Sequence, residues 1–523
     1  MEPVGRRHRH LLRFAPTMSE MGIPPQDGNG RSAVTSIADR PARPAAERAP
    51  RVPWSQIRLP IYISALGIFL IGHNQVDVAT LPVSDVVFFV LAAYLWLLML
   101  TGRSSRLAPA EFRRSSPRAL AASVVLVVFA TISGFASWEP TDSINIVVRL
   151  AYLTMLWFWM LRCLSVNRRA IATFLTAWRW GVVLSAVAAI AANAGLIKLG
   201  LANSEDRQTA WFGHPNDLGG FLAVAVPIFL LGVPATSNRR RATGPWRAGL
   251  LGLIVFGLST TGSMSAFLSA AVGSIAAGLA ILITGPRDRR RGHTHPLKVM
   301  GLTVAGIVAL MMLARTDTPV VERFTRFGEG DQYVAGSVND RGAANQAVVE
   351  NFDDVLVVGH GLDHRAQQDL GTPLGVHNMY LKMLYEAGLI GATALVLLLL
   401  VTVQQAWRLL RATRATALHR DIAAVLGSVV AAILFSNFQP TSIQRYYWLP
   451  IAMIQCYWTL RRYEIATGAT EEELNAWAAG PSPSGGGPVT PGSPRALPAP
   501  VPDRGGLGAP ALGPAGGPPI APG

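Results

Sequence analysis

Apolar runs of about 20 residues recur along this chain, and each is long enough to cross a bilayer as a helix. Half of the 523 residues are hydrophobic and only 15% are charged, whereas soluble domains carry about 25% charged residues. Backbone polar groups inside a bilayer find no water, so such runs must bond their own backbone as helices. The sequence therefore predicts an all-α polytopic membrane protein with about twelve transmembrane helices, and it argues against an ordinary soluble protein.

The predicted spans are joined by short polar segments, except in two places. The spans lie near 59–77, 82–100, 119–137, 146–164, 171–197, 216–234, 247–262, 265–284, 297–314, 378–403, 420–438 and 443–461. The two longer polar segments are 198–216 and 315–377. Long connections in compact proteins are often functional, so both are candidates for carrying a site.

The positive charge lies in clusters between the apolar runs. Lys and Arg number 46 against 31 Asp and Glu, which gives a net charge of +15. Arg-rich loops at 103–118, 162–169, 239–247, 287–298 and 408–420 alternate with three short loops, HNQVDVATLP, SWEPTDSIN and STTGSMS, that hold no Lys or Arg. This alternation is typical of a membrane protein with its basic loops inside, and no nucleic-acid partner is expected. It predicts a multi-pass protein of the cytoplasmic membrane, with both termini cytoplasmic and the segment 315–377 extracytoplasmic.

The two ends of the chain have a different composition. Residues 1–55 are rich in Pro, Arg, Ala and Gly and predict a disordered, basic cytoplasmic arm. Residues 56–465 form the predicted transmembrane domain. Residues 466–523 predict a cytoplasmic Pro/Gly-rich tail, disordered from about 480.

Two arginines, Arg207 and Arg341, stand in the two longer outer segments, whereas the short outer loops hold no Lys or Arg. A guanidinium group stays charged and offers forked donors to phosphate oxygens, so both residues are candidates for binding an anionic substrate. The alternative is a surface ion pair with a neighbouring acid. The available acids are Glu205, Asp206, Asp340 and Glu350.

His377 directly precedes the apolar run that begins Asn378-Met379, which places it at the start of a helix on the outer face. A neutral imidazole there could take a proton from a hydroxyl group. The positive end of a helix also disfavours the imidazolium form. The alternative is a purely structural role, in which His377 caps the helix with help from Asn378.

Lys382 and Glu386 lie four residues apart at the start of the same run, at the spacing of a helical ion pair. Charges within a span are functional candidates, although a Lys near a helix end can also extend to the interface. Further upstream, the sequence of residues 338–352 predicts a helix with Asn339 or Asp340 as its N-cap. Aromatic residues near the predicted span ends, among them Trp138 and 446–448, predict interfacial anchors.

Several motifs in order give the chain a recognisable pattern. They are Arg207, FGHPNDLGGFLAVAVP, STTGSMSAF, Asn339-Asp340-Arg341, GHGL and HNMYLKMLYEAGLIG. This set, over roughly residues 200–400, resembles the O-antigen ligase/polymerase-like family of polytopic membrane glycosyltransferases. The resemblance implies a polyprenyl-diphosphate-linked glycan donor, a sugar hydroxyl acceptor and membrane lipid as partners, with no cofactor and no metal. It implies that Arg207 and Arg341 bind the diphosphate and that His377 is the catalytic base, with Asn216, Asn378, Lys382 and Glu386 as possible supporting residues.

The chain departs from the family pattern at two positions. Ser263-Met264 stands where the family commonly has Ser-Arg, and His214-Pro215-Asn216 stands where it commonly has Asn-Pro-Asn. Two other functions stay open. One is a transporter or flippase of lipid-linked saccharides, and the other is a membrane glycosyltransferase that uses a metal or a carboxylate base. No residue distinguishes ligation from polymerisation or identifies the sugar.

Overall fold

The computed structural model describes most of the chain between residues 54 and 468. The described residues are 54–73, 77–78, 81–103, 107, 116–197, 207–231, 244–285, 319–328, 332–353, 357–362, 370–371, 375–414, 416 and 418–468. Chain contacts divide the protein into two units, Met1–Gly480 and Pro481–Gly523. The second unit lies outside the described residues, as does the predicted basic arm apart from its last two residues.

The described residues form thirteen helices and one very short pair of strands. The helices are α1 (Trp54–Phe69), α2 (Val83–Leu100), α3 (Pro117–Phe135), α4 (Pro140–Leu164), α5 (Arg168–Asn193), α6 (Pro215–Leu231), α7 (Gly244–Ser259), α8 (Met264–Thr284), α9 (Pro319–Gly328), α10 (Gln332–Glu350), α11 (Met379–Ala412), α12 (Leu418–Phe435) and α13 (Arg445–Thr467). A 3-10 turn at Leu70–Gly72 extends α1, and Tyr152–Leu156 within α4 is π-helical. The antiparallel strands β1 (Asp77–Val78) and β2 (Leu81–Pro82) have two residues each.

Seven of these helices, α2, α3, α4, α5, α8, α11 and α12, are long and apolar enough to cross a membrane. Three shorter apolar helices are Ile57–Gly72, Pro215–Leu231 and Trp246–Ser259. The prediction of an all-helical, multi-pass membrane protein is therefore confirmed. Eleven predicted spans overlap a described helix. The ninth, 297–314, lies outside the described residues, so the count of twelve stays a prediction.

Small residues bring helix backbones into close contact in the core. A Cβ atom on Gly273 of α8 would lie 2.5 Å from the carbonyl oxygen of Gly427 in α12, and the reverse distance is the same. Side chains larger than glycine would therefore push these two helices apart, as the Gly/Ser/Ala-rich sequence of α8 predicts. Large apolar side chains such as Trp96, Leu100 and Phe135 are exposed instead, which suits a lipid-facing surface.

Contacts between helix ends define two opposite ends of the protein. At one end, here called the loop end, Arg445–Asp85 joins the starts of α13 and α2. Ser133–Glu386 joins the end of α3 to the start of α11, and Met379–Ser436 joins the start of α11 to the end of α12. At the other, the basic end, the start of α5 meets the end of α13 through Arg168 and Glu464, 2.7 Å apart. Thr284 at the end of α8 also meets His419 at the start of α12 there. The predicted Arg-rich loops follow the helix termini of the basic end.

The described residues of the predicted long loop 315–377 include two helices, α9 and α10. The helix α10 begins at Gln332, so the prediction that Asn339 or Asp340 caps its start is wrong. Asn339 is exposed, and a polar side chain that reaches solvent is tolerated within a helix. Ala344 and Val348 are buried at the predicted helical spacing. The sequence did not predict α9.

The start of α13 is buried within the protein. Tyr446, Tyr447 and Trp448 are at most 1% exposed, so the prediction that they anchor the protein at the lipid interface is wrong. The Tyr446 hydroxyl and the Trp448 indole N–H both donate hydrogen bonds within the protein. Trp138, in contrast, is 74% exposed, as expected of an interfacial residue.

Candidate functional site

The first turn of α11 is fixed at both its side chains and its backbone. The Asn378 side chain accepts hydrogen bonds from the backbone N–H groups of Tyr380 and Leu381, at 2.9 and 3.2 Å. Asn378 is therefore the N-cap of α11. The backbone N–H group of Met379, the first residue of α11, donates to the Ser436 carbonyl at 2.8 Å. The side chain of His377, the residue before Asn378, is not needed for capping.

His377 is oriented by its own backbone turn. Its Nδ1 atom lies 2.6 Å from the carbonyl oxygen of Gly375. A carbonyl oxygen only accepts, so Nδ1 carries the hydrogen and the neutral ring keeps its lone pair on Nε2. This tautomer leaves Nε2 able to receive a proton, as the predicted catalytic base requires.

Two cations lie near the His377 ring. Burial lowers the pKa of His377 below its ordinary value of 6.5, the Gly375 carbonyl opposes this shift, and the charges of Arg341 and Lys382 lower the pKa further. The lowering has the expected direction, because burial and like charges both disfavour the imidazolium form. His377 is therefore held in its neutral form over a wider pH range than an exposed histidine.

Arg341 is placed by the packing of α10 against the start of α11. Val348 of α10 forms a small buried cluster with Val376 and Tyr385 on either side of the α11 start. Arg341 lies two turns before Val348, so it lies on the same face of α10. The structure thus brings together His377 and Arg341, which are 36 residues apart in the sequence.

Lys382 and Glu386 form the ion pair that their spacing predicts. Lys382 Nζ lies 3.2 Å from Glu386 Oε1, and the Glu386 side chain is 1% exposed. The buried carboxylate restrains the Lys382 side chain one turn from His377. Both residues therefore belong to the same group as the predicted base.

A kink in α11 explains the GHGL and EAGLIG motifs. Gly388 has φ 70° and ψ 178°, a backbone conformation that is essentially confined to glycine. Backbone N–H groups of His360 and Gly361 donate to the carbonyls of Tyr385 and Glu386 at 3.0 and 3.1 Å. Residues 357–362 thus supply partners for carbonyl groups at the kink, as irregular backbone in a membrane protein requires.

Arg207 belongs to a second group, formed by the segment before α6 and the turn between α7 and α8. Its Nε donates to the Thr261 carbonyl at 2.8 Å, and its Nη2 donates to Asn216 Oδ1 at 2.7 Å. The guanidinium group packs on Gly262, whose φ of +62° and missing side chain make room for it. Arg207 is only 6% exposed, so it is an inward-facing cation and not a surface residue.

The predicted residues thus fall into two groups at the loop end. One contains Arg341, His377, Asn378, Lys382 and Glu386, and the other contains Arg207 and Asn216. Sequence reasoning missed the residues between the groups, which are Asp217 after Asn216 and Tyr446 at the start of α13. The Tyr446 hydroxyl donates to Asp217 Oδ1 at 3.1 Å. Asp217 could have been found from the sequence, because a carboxylate in the first turn of an apolar helix is a functional candidate.

The two residues that depart from the family pattern, Met264 and His214, each have a defined place in the structure. Met264, at the position of the customary cation, is half-buried and packs against the core. His214 Nδ1 accepts a hydrogen bond from the Asn216 N–H at 3.1 Å, so it helps to hold the start of α6. Within the part of the chain that the structure describes, no group of three or more His, Cys, Asp or Glu side chains has an arrangement suited to a metal.

The family model of the O-antigen ligase matches residues 248–396. Over these residues the chain is similar to an O-antigen ligase. The matched segment runs from α7 into α11 and contains the whole group around His377, whereas Arg207 and Asn216 precede it. No curated protein matches this O-antigen ligase-like chain. The resemblance inferred from the ordered motifs is confirmed, and glycan transfer of the ligase or polymerase type is supported.

Proposed function

We propose that this O-antigen ligase-like chain transfers a glycan from a polyprenyl-diphosphate-linked donor to a hydroxyl group of an acceptor sugar, at the extracytoplasmic face of the cytoplasmic membrane. The observation that carries the proposal is the state of His377. Its Nδ1–H is bound to Gly375, its Nε2 is left as a proton acceptor, and Arg341 and Lys382 are near. A base surrounded by cations suits a reaction in which a hydroxyl attacks next to an anionic leaving group.

The chemistry needs one bond made, one bond broken and one proton moved. The acceptor oxygen attacks the anomeric carbon while its proton passes to His377 Nε2. The bond from the anomeric carbon to the diphosphate oxygen breaks, and its electron pair leaves with the polyprenyl diphosphate. Attack from the face opposite the leaving group inverts the anomeric configuration. A diphosphate leaves readily as an anion, so the proposal requires no general acid, metal or other cofactor.

The arginines stabilise the charge that develops on the departing diphosphate. Arg341 lies in the group with the base, and Arg207 is held by Thr261 and Asn216 so that its guanidinium keeps one orientation. A fixed cation in a low-dielectric site stabilises a growing negative charge without reorganising at the moment of reaction. Lys382, restrained by Glu386, adds a second positive charge beside the base.

Replacing the base tests the proposal directly. In vesicles containing purified protein, a synthetic polyprenyl-diphosphate glycan and a sugar acceptor, His377→Ala is expected to lower kcat by a factor of about 10² to 10⁴. Donor consumption, product linkage and anomeric configuration are measured with and without EDTA. The matched control His419→Gln changes a buried histidine at the basic end and should keep transfer within about twofold.

Three outcomes would contradict the proposal. They are full transfer by His377→Ala, loss of wild-type transfer in EDTA, and a product with retained configuration. Movement of the donor across the bilayer without transfer would instead support a transporter.

A further inference from the structure

Among the described residues, the end of α12 and the start of α13 form a short region that joins the two groups of the site. In the proposed reaction Arg207 and His377 act on the same substrate, so their separation must be fixed closely. Their own groups do not fix it, because Arg207 is bound to Asn216 and Thr261 whereas His377 is bound to Gly375. The connection therefore depends on other residues.

From the Arg207 side, the connection runs through the first turns of α6. Asn216, which holds the guanidinium group, is followed by Asp217, whose carboxylate accepts a hydrogen bond from the Tyr446 hydroxyl at 3.1 Å. One turn later, Gly220 lets the rings of Phe435 and Tyr446 approach the α6 backbone. A Cβ atom there would clash with the Phe435 ring and lie 2.9 Å from the Tyr446 ring.

From the His377 side, the connection runs through the end of α12. The Met379 N–H donates to the Ser436 carbonyl at 2.8 Å, two residues after His377. The Ser436 and Thr441 hydroxyls lie 2.7 Å apart, and Thr441 also contacts the Met379 sulfur at 3.3 Å. Phe435, next to Ser436, packs against the Tyr446 ring with centroids 6.4 Å apart.

We infer that Tyr446 and Asp217 are positioning residues, which fix Arg207 relative to His377 by hydrogen-bonding the start of α6 to the start of α13. This inference rests on the proposed function and extends it beyond the family match, which ends at residue 396. The Tyr446 side chain is 1% exposed, so its hydroxyl acts within the protein and not by touching substrate. Arg445, the preceding residue, pairs with Asp85 of α2 and so holds the start of α13 in place.

Three variants separate positioning from chemistry. Tyr446→Phe removes the hydroxyl that Asp217 accepts from, and Asp217→Leu removes the acceptor. Both are expected to lower kcat by about 10- to 100-fold, the effect of misplacing a reacting group by about 1 Å. Asp217→Asn keeps a side-chain oxygen for the Tyr446 hydroxyl and should stay within about threefold of wild type. The pH at half-maximal kcat/KM should not change in Tyr446→Phe, because His377 is intact.

The combination with Arg207→Lys is the sharpest test. If Tyr446 acts by positioning Arg207, the double variant Arg207→Lys/Tyr446→Phe should be no slower than Arg207→Lys alone. Tyr457→Phe is the matched control, since Tyr457 is a buried tyrosine three turns further along α13. This variant should keep transfer within about twofold. Melting temperatures of all variants in detergent identify any that fail to fold, and Asp217→Asn then still tests the inference.

The results that overturn the inference differ from those that overturn the proposed function. Wild-type kcat in Tyr446→Phe, or multiplicative losses in the double variant, overturns the positioning role while transfer itself stands. Equal losses in Asp217→Asn and Asp217→Leu would assign the carboxylate a chemical role instead. Absence of transfer by the wild-type protein overturns the proposed function.

Discussion

At the scale of single residues, the pKa of His377 sets the pH range in which its ring is neutral. Burial and the charges of Arg341 and Lys382 both favour the neutral ring. A base must be neutral to accept a proton, so kcat/KM for the acceptor should rise with pH as the ring loses its proton and then level off. Because the pKa of His377 is lowered, half-maximal kcat/KM is expected below pH 6.5. A pH profile measured with saturating donor checks this.

Replacing Lys382 tests the direction in which a neighbouring charge shifts the pKa of His377. Lys382→Gln removes one of the charges that lower the pKa of His377, so the half-maximal pH should move upward. Wild type and variant are compared in the same vesicles at low and high salt, because salt screens charges that reach solvent. A downward shift, or none at low salt, would mean that Lys382 does not act on the group that limits transfer.

Arg207 is expected to depend on its shape as well as on its charge. Its Nε and Nη2 donate in two directions, to Thr261 and to Asn216, and an ammonium group cannot reproduce this fork. Arg207→Lys should therefore lower kcat/KM for the donor by about 10-fold or more, as expected for the loss of a charge-assisted hydrogen bond. The kinetics of donor consumption measure this, and unchanged kcat/KM would show that Arg207 only holds the turn between α7 and α8.

At the scale of elements, the sequence predicted helices better than it predicted their contacts. Apolar length is a local property, so eleven predicted spans overlap described helices. The start of α10 was misplaced because polar residues such as Asn339 are accepted on an exposed helical face. The burial of Tyr446 could not be predicted, since an aromatic residue at a span end has the same sequence signature whether it faces lipid or another helix.

The kink of α11 is the element whose loss should damage the site most broadly. A Cβ atom on Gly388 would lie 2.5 Å from the Val357 carbonyl oxygen, and the φ of +70° is itself unfavourable for any other residue. Gly388→Ala should cost about 1–3 kcal/mol of stability and displace residues 357–362 from α11. Thermal unfolding in detergent and transfer activity are measured together.

A second glycine gives the matched control for that substitution. Gly249 of α7 has open space around the position of a Cβ atom. Gly249→Ala should be neutral or stabilise the helix by up to about 1 kcal/mol, because alanine is the better helix former. Equal stability of the Gly388 and Gly249 variants would show that the kink does not depend on glycine.

At the scale of the whole molecule, the separation of the two ends determines on which side of the membrane the reaction takes place. His377, Arg341 and Arg207 all lie at the loop end, whereas the Arg-rich loops of the sequence follow helices that terminate at the basic end. Positively charged loops are retained in the cytoplasm, so the candidate site should face the opposite side. A site on that side can use a lipid-linked donor only after the donor has crossed the bilayer.

Two exposed alanines at opposite ends allow this orientation to be measured. Ala136 follows α3 at the loop end, and Ala412 ends α11 at the basic end. The native cysteines, Cys163 and Cys456, are both buried, so they should react slowly. In intact cells, a membrane-impermeant thiol reagent is expected to label Ala136→Cys at once and Ala412→Cys only after permeabilisation. The reverse pattern would put the base and both arginines in the cytoplasm, where the proposed extracytoplasmic transfer could not occur.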